Sequence, residues 1–299
     1  MRPEHMKTRI FLDGGDPHET TETIRLLGFL DGQTTNPTLI AKNPSARKRL
    51  EGGQKFSKEE IFNFYHFVVR EIFGLIPQGS ISVEVYADAA TTSEEMLRQG
   101  REMFSWIPNA QIKFPTSAEG LKAAEQAIKE GLRINMTLCF SQEQAAAVYA
   151  ATKGAKRGSV YVSPFIGRLD DKGENGMELI TNILCMYRKG NAHVEVLTAS
   201  VRTFDHFLYA LKLESDIITA PFSILKEWAE KGMPVPGKDY AYNAGSLKAI
   251  SYRNIDLERN WQDYDISHEL TDKGMEKFSQ DWNSLIKSDE GPDESRTGR

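Results

Sequence analysis

The sequence predicts a single (β/α)8 barrel with a C-terminal helical extension, and three observations predict it. Eight short apolar runs recur along the chain, longer helical patterns separate them, and polar residues sit at matching places along the runs. Eight strand–helix alternations favour a closed barrel over an open doubly wound sheet, which stays open as the alternative on periodicity alone. No G-x-G-x-x-G follows the first run, which weakens a dinucleotide-binding reading.

The predicted strands cover residues 9–13, 33–38, 81–87, 110–115, 133–138, 160–165, 194–200 and 216–221. Most intervals suit one crossover helix, as a βαβ unit of roughly 30 residues requires. The interval between the second and third runs is longer. Its first part, 42–58, is basic and polar and predicts a short helix and a loop. Its second part, 58–76, carries Ile61, Phe62, Tyr65, Val68, Val69 and Ile72 on one broad apolar face. Helices follow over 92–106 and over 117–131, the latter opening at Ser117 and stopping at Gly131. Ser141 and Gln144 have the spacing of a capping box for the next helix.

Beyond 234–237 the texture changes. Residues 239–262 are aromatic and charged, and 271–286 read as one amphipathic helix aligning Met275, Phe278, Trp282 and Leu285. The expected organisation is a catalytic barrel over 7–235, a helical extension over 236–287, and a disordered charged tail over 288–299. The extension folds back on its own barrel or onto a partner subunit. A homo-oligomer is compatible with either.

Composition narrows the function. The 299 residues are 40% hydrophobic and 26% charged, enough to bury a sizeable core. Thirty-seven basic residues stand against 42 acidic ones, a net charge of −5 with no basic block, which argues against a nucleic-acid partner. No apolar run is long enough to span a membrane, and the polar N-terminus lacks a signal core, so the expected location is cytoplasmic. Cys139 and Cys185 match neither a disulfide framework nor a zinc site. His5, His18, His66, His193, His206 and His268 are scattered, none at the C-terminal end of a predicted strand, so no metal centre is expected.

Strand parity carries most of the functional information, because successive side chains face opposite sides. Lys113 opposes Ile112 and Phe114, Glu84 shares a face with Ser82 against two valines, and Asn135 joins Thr137 against three apolar residues. Thr34 pairs with Asn36, Tyr161 and Ser163 with Phe165, and Thr198 and Ser200 with Arg202. Asp13 ends the first strand. The outer face of a barrel must be apolar, so these polar residues are expected to converge on the axis, where barrel enzymes place their chemistry. A lysine in a narrow, partly dry site is disfavoured as an ammonium, and a neutral amine can form a Schiff base without metal or cofactor. Glu84 and Asp13 are then candidate proton-transfer groups. The alternative for Glu84 is a partner that merely neutralises Lys113. Arg168 and Arg202, following the sixth and seventh strands, suit a phosphate, although such arginines also serve as surface ion-pair partners.

These residues carry a resemblance. The stretch 32–40, around Thr35-Asn36-Pro37, resembles one signature of the transaldolase family, and 112–121, around Lys113, resembles the second. The likeness continues in order through Asp13, Glu84, Asn135, Thr137, Ser163, Arg168, Ser200 and Arg202, over roughly residues 9 to 225. It implies a Schiff base between Lys113 and a ketose carbonyl, with Asp13 moving the C4 hydroxyl proton. It also implies that Glu84 and Thr137 handle the water, and that Asn36, Asn135 and Ser163 hold the dihydroxyacetone portion. Arg168, Ser200 and Arg202 would bind the phosphate. Sugar phosphates are the implied partners, and no cofactor is implied. Gln33 and Phe114 depart from the residues usual at their places.

A dihydroxyacetone-transferring enzyme is therefore expected. Alternatives are a fructose 6-phosphate aldolase that releases dihydroxyacetone, a relative acting on another anionic ketose, and a non-catalytic sugar-phosphate-binding barrel. In the aldolase branch the resemblance implies glutamine at Glu84 and tyrosine at Phe165, so both residues favour the transferase.

Overall fold

The structure is a computed structural model that describes residues 2–287, so the charged tail read over 288–299 lies outside the described residues. Eight parallel strands close in sequence order: β1 (Arg9–Asp13), β2 (Gly32–Thr34), β3 (Ser80–Glu84), β4 (Ala110–Pro115), β5 (Ile134–Cys139), β6 (Val160–Pro164), β7 (Val194–Thr198) and β8 (Ile217–Ala220). Pairing of β1 with β8, from Arg9 opposite Ile217 to Leu12 opposite Ala220, completes the barrel. The open-sheet alternative is thereby excluded.

Helix α1 (Pro17–Leu27) follows β1, and α2 (Pro37–Ala41), α3 (Pro44–Glu51) and α4 (Lys58–Leu75) fill the long interval before β3. Then come α5 (Ser93–Phe104), α6 (Ala118–Lys129) and α7 (Gln142–Ala151), one after each strand. Helices α8 (Ile166–Asp170) and α9 (Gly176–Tyr187) follow β6, while α10 (Phe204–Lys212) and α11 (Phe222–Glu230) follow β7 and β8. The outward strand residues, among them Ile10, Leu12, Ile112, Phe114, Met136 and Val162, are wholly buried beneath this ring. No helix of the described residues is long and apolar enough to cross a membrane.

Three local readings need correction. The second strand stops at Thr34 rather than at 38, because Asn36 caps α2 and Pro37 supplies a preset first helical residue. The Thr-Asn-Pro stretch is thus a strand-to-helix turn. In β7, Thr198 faces outward and hydrogen-bonds Ser215 Oγ at 2.9 Å. The inward parity belongs to Glu195 and Leu197, and Ser200 reaches the barrel mouth because it turns the chain at φ 59°. At α7 half of the capping box forms. Ser141 accepts the Gln144 N–H, but the buried Gln144 amide accepts from Phe140 N and donates to Thr271 Oγ1 instead of reaching back.

The N-terminal end of the barrel is an ionic layer. Arg9 on β1 donates to Tyr161 on β6 at 3.0 Å and pairs with Glu195 on β7 at 2.9 Å, contacts between strands that are not neighbours.

The C-terminal extension turns back onto its own barrel. Helix α12 (Glu269–Ser284) lies against α2 and β5, with Thr271 Oγ1 donating to Leu138 O at 2.9 Å. Leu270, Met275, Phe278 and Trp282 are buried by that contact face. Phe56 and residues 285–287 exchange two backbone hydrogen bonds of 2.9 Å that fasten the end of the extension.

Candidate active site

Lys113 occupies the middle of β4 and is 3% exposed. Its Nζ donates to the Thr35 carbonyl at 2.9 Å and lies 2.7 Å from Glu84 Oε2 on the neighbouring strand. Burying such a pair is costly, and a small network fixes the backbone that presents it. The Tyr65 hydroxyl of α4 accepts the Glu84 backbone N–H at 2.9 Å and lies 2.5 Å from Thr35 Oγ1, which in turn donates to Ser82 O. Tyr65 therefore ties together the backbones that present both of the lysine's partners.

Asp13 ends β1 and faces the barrel interior, where Thr34 Oγ1 donates to it at 2.7 Å. Desolvation pushes its carboxyl above the usual carboxylate range, against the opposing pull of Lys113, Thr34 and Lys42. Glu84 is raised for the same first reason, with Lys113 and then Arg168 opposing and Asp13 adding. Both acids thus hold protons more readily than exposed ones do, and Lys113 stands 2.7 Å from Glu84.

Lys113 and Asp13 meet at a cavity of about 290 Å³ at the C-terminal end of the barrel. Of the residues singled out from the sequence, Asp13, Asn36, Lys113, Thr137, Ser163, Phe165, Arg168, Ser200 and Arg202 line it. Glu84 and Asn135 do not. Glu84 lies behind Lys113 and borders a separate cavity of about 80 Å³ together with Tyr86, Gln99 and Trp282. Asn135 is wholly buried and accepts the Ser163 hydroxyl at 2.6 Å while donating to Ser82 Oγ at 3.1 Å. Its role in the geometry is to orient Ser163. Asn36 uses Oδ1 to cap α2, accepting Leu39 N–H at 2.9 Å, so its NH2 group is what it offers the cavity. Thr137 Oγ1 is buried with no hydrogen-bond partner in the protein, an uncompensated polar atom beside the lysine cavity.

The two arginines stand on the rim. The Arg168 guanidinium lies between the Phe165 and Phe278 rings, at 5.2 Å and 5.1 Å from their centroids. Arg202 reaches Ser200 Oγ at 3.4 Å and Asp171 Oδ2 at 3.0 Å. Gly167 brings the pair together, since a Cβ there would run into Ser200 O and the Arg202 stem. Gly274 does the same for α12, where any side chain would collide with Arg168 and Leu138.

Sequence reasoning missed Lys42, Thr38, Lys277 and Phe278, all of which line the cavity. Lys277 and Phe278 come from α12, whose docking side the sequence left open. Tyr65 falls on the apolar face of its helix by sequence, and nothing in its spacing signals the hydroxyl's partners. The two departures from the family pattern lie outside the cavity. Gln33 bonds Thr20 Oγ1 at 2.8 Å and Gly14 O at 2.9 Å, and Phe114 is buried against Gly100 of α5. Among the described residues no group of three or more His, Cys, Asp or Glu side chains converges as a metal site would.

A closed barrel with a buried lysine, two raised acids and two arginines at its C-terminal end has the architecture of a barrel enzyme. Residues 10–288 match the family described as Transaldolase/Fructose-6-phosphate aldolase. A probable transaldolase of Anaeromyxobacter sp. is 34% identical over 280 residues, covering 94% of this chain and 99% of that protein. One from Dehalococcoides mccartyi is 34% identical over 279 residues, 93% and 100% of the two chains, and one from Brucella ovis is 35% identical over 274 residues, 92% and 96%. The chain belongs to the transaldolase/fructose-6-phosphate aldolase family.

Proposed function

We propose that this protein is a transaldolase, moving a dihydroxyacetone unit from a ketose phosphate to an aldose phosphate through a Schiff base on Lys113. The observation that carries the reading is the buried Lys113 with a carboxylate 2.7 Å behind it and a cavity shared with Asp13 in front. Glu84 takes the ammonium proton, and the freed amine attacks the C2 carbonyl. The carbinolamine loses its oxygen as water, with Glu84 returning the proton. Asp13 then removes the C4 hydroxyl proton while the C3–C4 bond breaks, the electron pair passing into the iminium to leave an enamine. The released aldehyde is replaced by the acceptor, whose new hydroxyl receives the proton held by Asp13. Water activated beside Glu84 and Thr137 hydrolyses the product. Ser163 and Asn36 hold the dihydroxyacetone portion, with Asn135 behind Ser163. Arg168, Ser200 and Arg202 bind the phosphate, which a guanidinium fork suits.

A second reading, an aldolase that releases free dihydroxyacetone, needs a group to protonate the enamine carbon. Phe165 lines the cavity with a ring that carries no proton to give, which favours the transferase. A barrel that binds sugar phosphates without turnover is disfavoured by the intact lysine and acids. The deciding experiment measures glyceraldehyde 3-phosphate released from fructose 6-phosphate with and without erythrose 4-phosphate. Release that depends on the acceptor is expected. Release without it establishes the aldolase, and no release in either case removes fructose 6-phosphate as the donor.

A further inference from the structure

We propose that His206 is a positioning residue for Arg202, holding the backbone of that arginine through one ring nitrogen while Asp170 and Tyr242 fix the tautomer at the other. The inference rests on the reading of Arg202 as a phosphate ligand and adds the residue that sets its place.

His206 lies in the first turn of α10 and is 3% exposed. Its Nδ1 accepts the Arg202 backbone N–H at 3.3 Å. A backbone amide can only donate, so Nδ1 must be unprotonated and the ring's proton sits on Nε2. There, Asp170 Oδ2 lies at 2.8 Å and the Tyr242 hydroxyl at 3.0 Å. Asp170 is itself fixed, because its other oxygen accepts the Gly176 N–H at the start of α9 at 2.9 Å. The imidazole thus bridges the loop after β7 to the segment after β6.

The Arg202 stem runs against Gly167, and its head is held loosely, with Ser200 Oγ at 3.4 Å. Its guanidinium is exposed, and its partner Asp171 is an exposed carboxylate of the kind that contributes little. The backbone is better fastened: Ser200 carbonyl accepts the Gly167 N–H at 3.0 Å on one side, and His206 takes the Arg202 N–H on the other. Where the arginine head can reach therefore depends on the imidazole. Tyr242 comes from the extension, so the segment beyond the barrel also contributes to that anchor.

The test is steady-state kinetics with fructose 6-phosphate as donor and erythrose 4-phosphate as acceptor, on His206→Gln, His206→Asn and Arg202→Ala. Glutamine loses the acceptor at the Nδ1 position, whereas the asparagine Oδ1 can stand in for it. His206→Gln is expected to raise donor KM about five- to tenfold, the worth of one lost hydrogen bond, with kcat within about twofold. His206→Asn is expected to restore KM to within about threefold of wild type. If Arg202→Ala raises KM and His206→Gln does not, the positioning role is refuted while the phosphate reading stands. If Arg202→Ala leaves KM unchanged, both are refuted. Should the buried variants misfold, ¹⁵N NMR of the unaltered protein still decides: a proton on Nε2 is expected, and a proton on Nδ1 overturns the proposal.

Discussion

Lys113 is useful only because its surroundings are costly. A guanidinium cannot give up its proton to become a nucleophile, so Lys113→Arg should abolish turnover and the borohydride-trapped adduct while leaving the circular dichroism spectrum intact. Mass spectrometry of the trapped protein checks this, and an adduct on another lysine would sink the assignment. Asp13 makes a second prediction. Its folded carboxyl is held above the ordinary range by desolvation, so the native state binds a proton more tightly than the unfolded chain does. Native stability must then fall as pH rises through that window, because there the native state binds more protons than the unfolded state, and the contribution is fully present only below the ordinary carboxylate range. Asp13→Asn lacks this cost, so its Tm should exceed wild type at pH 8, and the gain should vanish once pH drops below the ordinary carboxylate range. Thermal melts across pH test it, and a gain that persists unchanged in acid would refute it. Much of this site was legible in the sequence, since a polar residue opposed by apolar neighbours within a strand has one direction to face. Lys113, Glu84 and Asn135 are such residues. Thr198 escapes this rule because its outward partner, Ser215, lies in another loop, and hydropathy carries no information about such a hydroxyl pair.

At the scale of elements, the sequence marked strands more reliably than the turns after them. Alternation identifies a strand, but the stop at Thr34 depends on a cap and a proline, which read equally well as strand residues by hydropathy. The same limit hid the contribution of α12, whose apolar stripe was visible while its docking face was not. That helix now has a chemical consequence, because Phe278 forms one wall of the Arg168 slot. A cation–π contact is worth about 0.5–2 kcal/mol, so Phe278→Ala should raise donor KM by about 2- to 30-fold and change kcat little. Leucine at this position should recover fold stability but not KM. Equal recovery of both by leucine would mean that the ring merely fills space.

For the whole molecule, the extension is part of the fold's stability. Trp261, Tyr264, Leu270, Met275, Phe278, Trp282 and Leu285 are all buried, and they cover apolar surface of the barrel that would otherwise meet water. A chain ending at Gly237 should therefore aggregate or melt far below the full chain, and size-exclusion chromatography with thermal melts would check it. A truncated chain that stays folded and active would show that α12 is dispensable.

The Arg9–Tyr161–Glu195 layer at the opposite end has a kinetic meaning. Arg9 ties β1 to β6 and β7 at the end opposite the cavity of about 290 Å³, so under the proposed reaction donor, departing aldehyde and incoming acceptor are expected to share that cavity in turn. On that reading the leaving aldehyde departs before its successor arrives. Reciprocal plots at several acceptor concentrations then run parallel, and each aldehyde competes with the other for the same intermediate of the protein.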